Sequence, residues 1–210
     1  PWLIQMGYGR AGYYGYDLIE NIASPRGMQS AEGIIPELQD FKVGDDLPIS
    51  AISTFYIQAI EPNRFLVWDD EDGGTFTWGL YPLDDNHTRL VMRFRFTHRW
   101  LDWLFVDWAD HVAVKKALQG LKGRVEENIE PMAVQNIEIS LWAISFLELC
   151  TAIFFIMKQK IWWRSWLIAL AAAAVLLIAL YAQAHLYLGI TLTFVILLGL
   201  RWAYQPSQMH

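Results

Sequence analysis

Arg10, Tyr13, Tyr14, Tyr16, Asp17 and Glu20 fall between positions 10 and 20 and are the densest group of side chains able to hold or move a proton. Tyrosine hydroxyls lining an apolar pocket can orient a ligand through hydrogen bonds, and a carboxylate beside them can serve as a general base. Asp17 is the residue this spacing offers for that role. The competing reading is structural: Tyr13 and Tyr16 pack on a sheet while Arg10 and Asp17 form an ion pair. Trp78, Met92 and Phe94 lie on strand-like stretches. They are core residues by default, and the wall of a cavity where a helix stands off the sheet.

Other chemistries find little footing. His87, His98, His111, His185 and His210 stand at no metal-ligand spacing with one another or with Cys150, the single cysteine. Asp107 and His111 are four residues apart on a helical stretch, the spacing of a surface ion pair, and a metal would need a further ligand. No Gly-x-Ser-x-Gly elbow and no Cys/His pair supports a nucleophile. The expectation is therefore no metal and no cofactor. Gly7-Tyr8-Gly9-Arg10-Ala11-Gly12 spells a dinucleotide-binding G-x-G-x-x-G, with Glu32 near the position of a ribose-binding acid. That mechanism needs a strand before, a long helix after and a parallel βαβ unit, whereas hairpin signals follow. Asp69-Asp70-Glu71-Asp72 lacks EF-hand spacing and reads as a solvated turn.

The elements that must position these residues follow from period and punctuation. Tyr16 to Ile22 reads as a short amphipathic helix, residues 23–48 as a loop with one helical turn at Pro36, and Phe41 to Pro48 as a short strand entering a turn. Ile49–Ile60, Phe65–Trp68, Thr75–Tyr81 and Arg89–Thr97 read as strands, with turns at Glu61-Pro62-Asn63, Asp69–Gly74 and Pro82–Thr88. Phe76, Trp78 and Leu80 share one face of their strand. Leu90, Met92, Phe94 and Phe96 alternate with Arg89, Arg93 and Arg95, as expected of an antiparallel sheet with one wet face. From Trp100 to Glu127 the period turns helical, with Leu101, Leu104, Phe105, Trp108, Val112, Leu118, Leu121 and Val125 as the apolar stripe.

The last third has a different composition. Ile139–Met157, Trp166–Ala182 and Leu186–Leu200 are apolar runs separated by short polar breaks. A bilayer core of about 30 Å calls for roughly 17–25 apolar residues in a helix, so the expectation is three spans, about 139–157, 165–182 and 185–203, or two if the last falls short. Glu148 sits inside the first, where an acid is costly and points to helix packing or function. Residues 1–137 carry 12 basic and 20 acidic side chains, and residues 138–210 carry four and two. An acidic domain of that balance is poorly suited to nucleic acid or to an anionic membrane surface. Lys158, Lys160, Arg164 and Arg201 flank the spans, and the positive-inside rule places them on the cytoplasmic side with the preceding domain outside.

Several collinear patches carry a resemblance. Pro1 to Gly7 followed by Gly12-Tyr13-Tyr14-Gly15-Tyr16-Asp17 is similar to the opening helix region of a bacterial subgroup of the START-like (SRPBCC) superfamily. Ile35-Pro36-Glu37-Leu38-Gln39 with Lys42 to Asp45, Ile60 to Arg64, Trp78 to Leu83, Thr88-Arg89-Leu90 and Leu118 to Lys122 continue it over about residues 1–127. The resemblance implies an α+β helix-grip domain over residues 1–130, its antiparallel sheet wrapped on a long C-terminal helix, with a strand ahead of Pro1. A linker at 131–138 and the membrane region at 139–204 would follow. It also implies a cavity for an apolar small molecule or lipid between sheet and helix, with Arg10, Tyr13, Tyr14, Tyr16, Asp17, Trp78, Met92 and Phe94 as its candidate lining. The usual cytosolic setting of the superfamily points the domain inward, against the charge count. Together these predict a multi-pass protein of a bacterial cell membrane carrying a ligand-binding module. An enzyme of cyclase or dehydratase type and a non-catalytic interaction protein are the alternatives. The partners expected are the bilayer and the apolar ligand, with no nucleic acid.

Overall fold

The computed structural model describes residues 1–23, 29–70, 73–95, 102–158, 162–182 and 186–204. The chain forms two compact units, Pro1–Ile129 and Glu130–His210. The first is α+β. Short helices α1 (Trp2–Gln5) and α2 (Asp17–Ala23) and a 3-10 turn (Pro36–Leu38) precede five strands: β1 (Asp46–Pro48), β2 (Thr54–Glu61), β3 (Phe65–Asp69), β4 (Thr75–Pro82) and β5 (Thr88–Arg95). Helix α3 (Asp102–Val125) closes the unit.

The strands form one antiparallel meander in sequence order. Short turns account for this order, because each reverses the chain locally. Asn63 takes a left-handed conformation (φ 62°) between β2 and β3, where Arg64 N–H donates to the Glu61 carbonyl. Between β3 and β4 the Asp70 carboxylate accepts the Gly74 N–H at 2.6 Å. The register places Trp68 opposite Phe76, Phe76 opposite Phe94, and Trp78 opposite both Leu66 and Met92. Side chains of period two therefore gather Phe55, Ile57, Leu66, Trp68, Phe76, Trp78, Leu90, Met92 and Phe94 on an inner face. Arg89, Arg93 and Arg95 alternate to the other face and are exposed, as their spacing predicts. Phe96, assigned to the inner face from its spacing, lies outside the described residues.

Two strand assignments shift. The stretch at Phe41 is a turn rather than a strand: the Asp45 carboxylate accepts the Lys42 N–H at 2.8 Å and Gly44 sits at φ 92°. The regular strand starts at Asp46, just after Gly44 and Asp45 make backbone hydrogen bonds with Ile57 of β2. Likewise Ile49–Ser53 is a turn, with Ile49 and Ser50 N–H groups donating to the Ser53 carbonyl, so β2 begins only at Thr54. Local hydrogen bonds outcompete the β propensity of both stretches.

Met6, Ala11, Tyr14 and Leu121 join the buried residues of the inner face in one core, with Leu118 packed against it. Helix α3 can lie this close because residue 120 is glycine: a Cβ there would meet the Tyr14 carbonyl oxygen. The helix ends where Glu127 turns left-handed (φ 56°) and the Asn128 N–H reaches back to the Gly123 carbonyl at 2.6 Å, the bond pattern of a Schellman stop. Val125, expected on the apolar stripe, is 69% exposed because it falls in this terminal turn. The side chains of Leu101, Leu104, Phe105, Asp107 and Trp108 lie outside the described residues.

The second unit is three helices: α4 (Met132–Lys158), α5 (Trp162–Ala182) and α6 (Leu186–Tyr204). Residues 132–138, expected as a linker, belong to α4. Met132–Lys158 and Trp163–Leu180 are long and apolar enough to cross a membrane; Leu186–Trp202 is apolar and shorter. The core of the trio is small: Ala152, Ile168, Ala169, Ala172, Val175 and Ile196. Ser145, Glu148, Ser165 and Thr193 are also buried, while Phe146, Leu147, Phe154, Leu167, Leu170, Phe194 and Val195 are exposed.

Candidate functional site

Tight turns in residues 7–15 set the geometry around α2. Gly7 and Gly12 form an isolated antiparallel bridge, with the Gly7 N–H donating to the Gly12 carbonyl at 3.1 Å. The literal G-x-G-x-x-G is thus the crossing of a closed loop. A four-residue helix, not a strand, precedes it, and among the described residues every strand pair is antiparallel. A Cβ on Gly12, at φ 72°, would stand 2.9 Å from Ser30 Oγ. Glycine here lets the 29–31 segment dock, which brings Ser30 to Asp17.

Asp17 is buried and fully engaged. Its Oδ2 accepts the Ser30 N–H at 3.1 Å and its Oδ1 accepts the Ser30 hydroxyl at 2.6 Å. Ser30 Oγ in turn accepts the Tyr14 N–H at 3.0 Å. Both carboxylate oxygens therefore hold a chain crossing. Arg10 is not the partner of Asp17: its Nη2 donates to the carbonyls of Ile4 (3.1 Å) and Leu38 (3.2 Å), and its guanidinium lies 4.1 Å over the Phe41 ring. The expected Arg10–Asp17 ion pair is replaced by backbone contacts on either side, because the loop turns the two side chains onto different segments.

The tyrosines divide. Tyr13 donates to the Ile49 carbonyl at 2.6 Å, and burial raises its hydroxyl well above the ordinary value. Tyr14, 1% exposed, donates to the Trp2 carbonyl at 2.9 Å. Arg124, from the last turn of α3, lies 4.4 Å over its ring, and burial pushes the Tyr14 hydroxyl up to about 12. Tyr16 is buried under Lys116, whose Nζ is 4.9 Å from the ring centroid. Tyr13, Tyr14, Trp78 and Met92 meet in one core, and Phe94 joins it through Phe76 at 3.9 Å between ring centroids. Arg10, Tyr16 and Asp17 are not part of that core cluster.

Within this cluster the carboxyl moved toward neutrality is that of Glu20. Burial first, and the Asp17 charge second, raise its carboxyl to about 7. It accepts the backbone N–H groups of Tyr13 and Gly15, while Oε2 is buried without a hydrogen-bond partner. Position 20 was visible in the sequence as one of the cluster; its environment was not, since the Arg124 charge that acts on it arrives from α3 about a hundred residues on. Gln5, 0% exposed, was missed altogether. It ties the loop together by donating to the Gly33 carbonyl and accepting from Ile35 N–H and Gln39. Polar residues in such knots carry no periodic signal.

The inner face of the sheet differs along its width. Phe55, Ile57, Leu66, Trp68 and Trp78 are buried, whereas Phe76, Leu80, Leu90, Met92 and Phe94 are only half-buried. Trp68 and Trp78 stand edge to face, 5.5 Å between centroids, and neither indole N–H has a hydrogen-bond acceptor. Among the described residues no group of three or more His, Cys, Asp or Glu is placed to hold a metal. His87 pairs with Asp84 in an exposed turn. His111 is exposed on α3, while the Asp107 side chain and His98, His185 and His210 lie outside the described residues.

Comparisons with protein-family models, with curated proteins and with solved structures find no match to this chain.

Proposed function

We propose that the protein is a membrane-tethered module of START-like type that binds an apolar small molecule or lipid on the inner face of its sheet. The observation carrying the ligand reading is the half-open apolar strip of Phe76, Leu80, Leu90, Met92 and Phe94 beside two buried indole N–H groups without acceptors. Buried polar groups are nearly always paired, so donors left open beside accessible apolar surface suit a ligand that brings an acceptor. The order of short helices, antiparallel meander and long closing helix supports the superfamily reading.

The membrane reading draws on the second unit. Phe146, Leu147, Phe154, Leu167, Leu170, Phe194 and Val195 are exposed, while Ser145, Glu148, Ser165 and Thr193 are buried together with Ala152, Ala169, Ala172 and a few aliphatic residues such as Ile168, Val175 and Ile196. Water would drive the opposite arrangement, whereas lipid-solvated helices pack through small and polar residues. On this reading α4 and α5 cross the bilayer and α6 pairs with them as a third, tilted or shallow, apolar helix.

Glu20 favours a second reading, an enzyme of cyclase or dehydratase type on the same domain. Asp17 has no free oxygen for base catalysis, so the proton-transfer role would fall to Glu20, near neutrality and with one oxygen open.

Native mass spectrometry of the full chain released from detergent tests the binding reading. We expect a 1:1 apolar adduct in the wild type, or after incubation with long-chain fatty acids and aromatic polyketide-like probes, and its loss in Met92→Glu. An adduct unaffected by that change, or none with any probe, contradicts it.

A further inference from the structure

One end of the helix trio gathers cations and indoles. Lys158 closes α4, Trp163 and Arg164 open α5, and Arg201 and Trp202 lie in the last turn of α6. Consecutive helices joined by three-residue breaks run in alternating directions, which places these termini on one side of the unit. The contacts bear this out: the Arg164 guanidinium lies 4.4 Å over the Trp202 ring and 5.5 Å from that of Trp163, and the two indoles are 6.0 Å apart at 75°. This stacking fixes the guanidinium yet leaves Arg164 Nε buried with no acceptor. The neighbouring Ser165 is 1% exposed, and its Oγ also lacks a partner. Both belong to the first turn of a 21-residue helix, where backbone N–H groups have no intrahelical acceptor. The acids of α4–α6 are Glu138 and Glu148, both at least ten residues before Lys158.

We propose that this cluster is a binding site for the phosphate group of an anionic membrane lipid. Both open polar groups, Arg164 Nε and Ser165 Oγ, can donate, and the charge is positive. A guanidinium fork, a serine hydroxyl and helix N-terminal amides together match a phosphate diester. The apolar surroundings decide between a lipid and free phosphate. Trp163, Trp166, Leu167, Phe154 and Met157 are exposed next to the cations, so an acyl chain finds a bed where a free anion would find none. Exposed indoles and basic side chains at the ends of apolar helices are also the usual composition of a headgroup layer. The site rests on the membrane reading above and is independent of the ligand on the sheet.

The test uses full-length protein in a neutral detergent, titrated with phosphatidylglycerol, phosphatidylcholine or inorganic phosphate, with adducts counted by native mass spectrometry. One phosphatidylglycerol adduct is expected, favoured about tenfold or more over phosphatidylcholine. Arg164→Gln should weaken it about tenfold, and Arg164→Lys and Ser165→Ala about threefold each, since lysine keeps the charge but loses the fork and the stack. These milder variants keep the test decisive if Arg164→Gln does not fold. Arg93→Gln, on the exposed face of β5, should leave binding unchanged. Absence of a headgroup preference, a preference that survives all three site variants, or an equal loss in Arg93→Gln overturns the site. Displacement of the lipid by millimolar phosphate reassigns it to a free anion and overturns the lipid. A chain that stays in solution without detergent fails the membrane reading itself, whereas a membrane-embedded chain indifferent to headgroup fails only this inference.

Discussion

The two units solve the burial problem in opposite ways. In residues 1–129 the large side chains go inside: Tyr14, Trp68 and Trp78 are each under 4% exposed, and the three arginines of β5 face out. In residues 130–210 the interior mixes Ala152, Ala172, Ser145, Ser165 and Glu148 with Ile168, Val175 and Ile196, and Phe146, Leu147, Leu167 and Phe194 lie on the exterior. The first arrangement gains from moving apolar area out of water. The second gains nothing from burying leucine if the surroundings are hydrocarbon, so it spends its contacts on close helix approach and on hiding polar groups. The contrast teaches that hydropathy alone does not describe a helix; which face carries the large side chains tells what solvent the surface was built for.

The comparison can be broken most sharply by truncating a large residue in each unit. Trp78→Ala should destabilise the first unit by about 3–5 kcal/mol, because it opens a cavity where inner-face residues meet. Phe146→Ala, on the exposed face of α4, should change detergent-solubilised stability by less than about 1 kcal/mol. Thermal unfolding followed separately for sheet and helices reads both. A large loss from Phe146→Ala would mean that the face is packed against something in the native protein.

Glu20, half-buried on α2, gives the first unit a pH signature. Folding raises the Glu20 carboxyl to about 7 from an ordinary carboxyl value, so between those limits the folded state holds more protons than the unfolded. Its contribution is fully present at pH 4 and is lost as pH rises through 7. Glu20→Gln should therefore be the more stable form at pH 8, by at most about 3 kcal/mol, with the advantage fading by pH 5. Stability curves of the two proteins that run parallel from pH 5 to 8 would show that Glu20 is solvated.

A smaller effect, in the opposite direction of size, probes the helix trio. Ala172→Leu adds volume where α4, α5 and α6 meet and should cost about 1–3 kcal/mol, although it raises the apolarity of a helix that is already apolar. A neutral or stabilising outcome would mean that the helices are held apart.

Much of this contrast was legible in the sequence. Alternation over residues 75–95 gave the strands and the shared face of Trp78, Met92 and Phe94, because a period of two survives in any antiparallel sheet with one wet side. The apolar runs marked three helices. The knots around α2 were not legible. Asp17 finds Ser30, and Arg124 donates its Nε–H to the Ala31 carbonyl at 2.7 Å, through contacts between segments far apart in the chain that no local pattern announces. The Arg10–Asp17 pair failed for the same reason: opposite charges near in sequence were separated by glycine-driven turns.

Cys150 offers the most direct test of the claim that the second unit is solvated by hydrocarbon. It is the single cysteine, exposed on α4 within the apolar run. Thiol alkylation needs the thiolate and water. In intact membranes a hydrophilic maleimide should leave Cys150 unmodified, with full labelling after denaturation in dodecyl sulfate. Rapid labelling in the untreated preparation would place α4 in water and contradict the account.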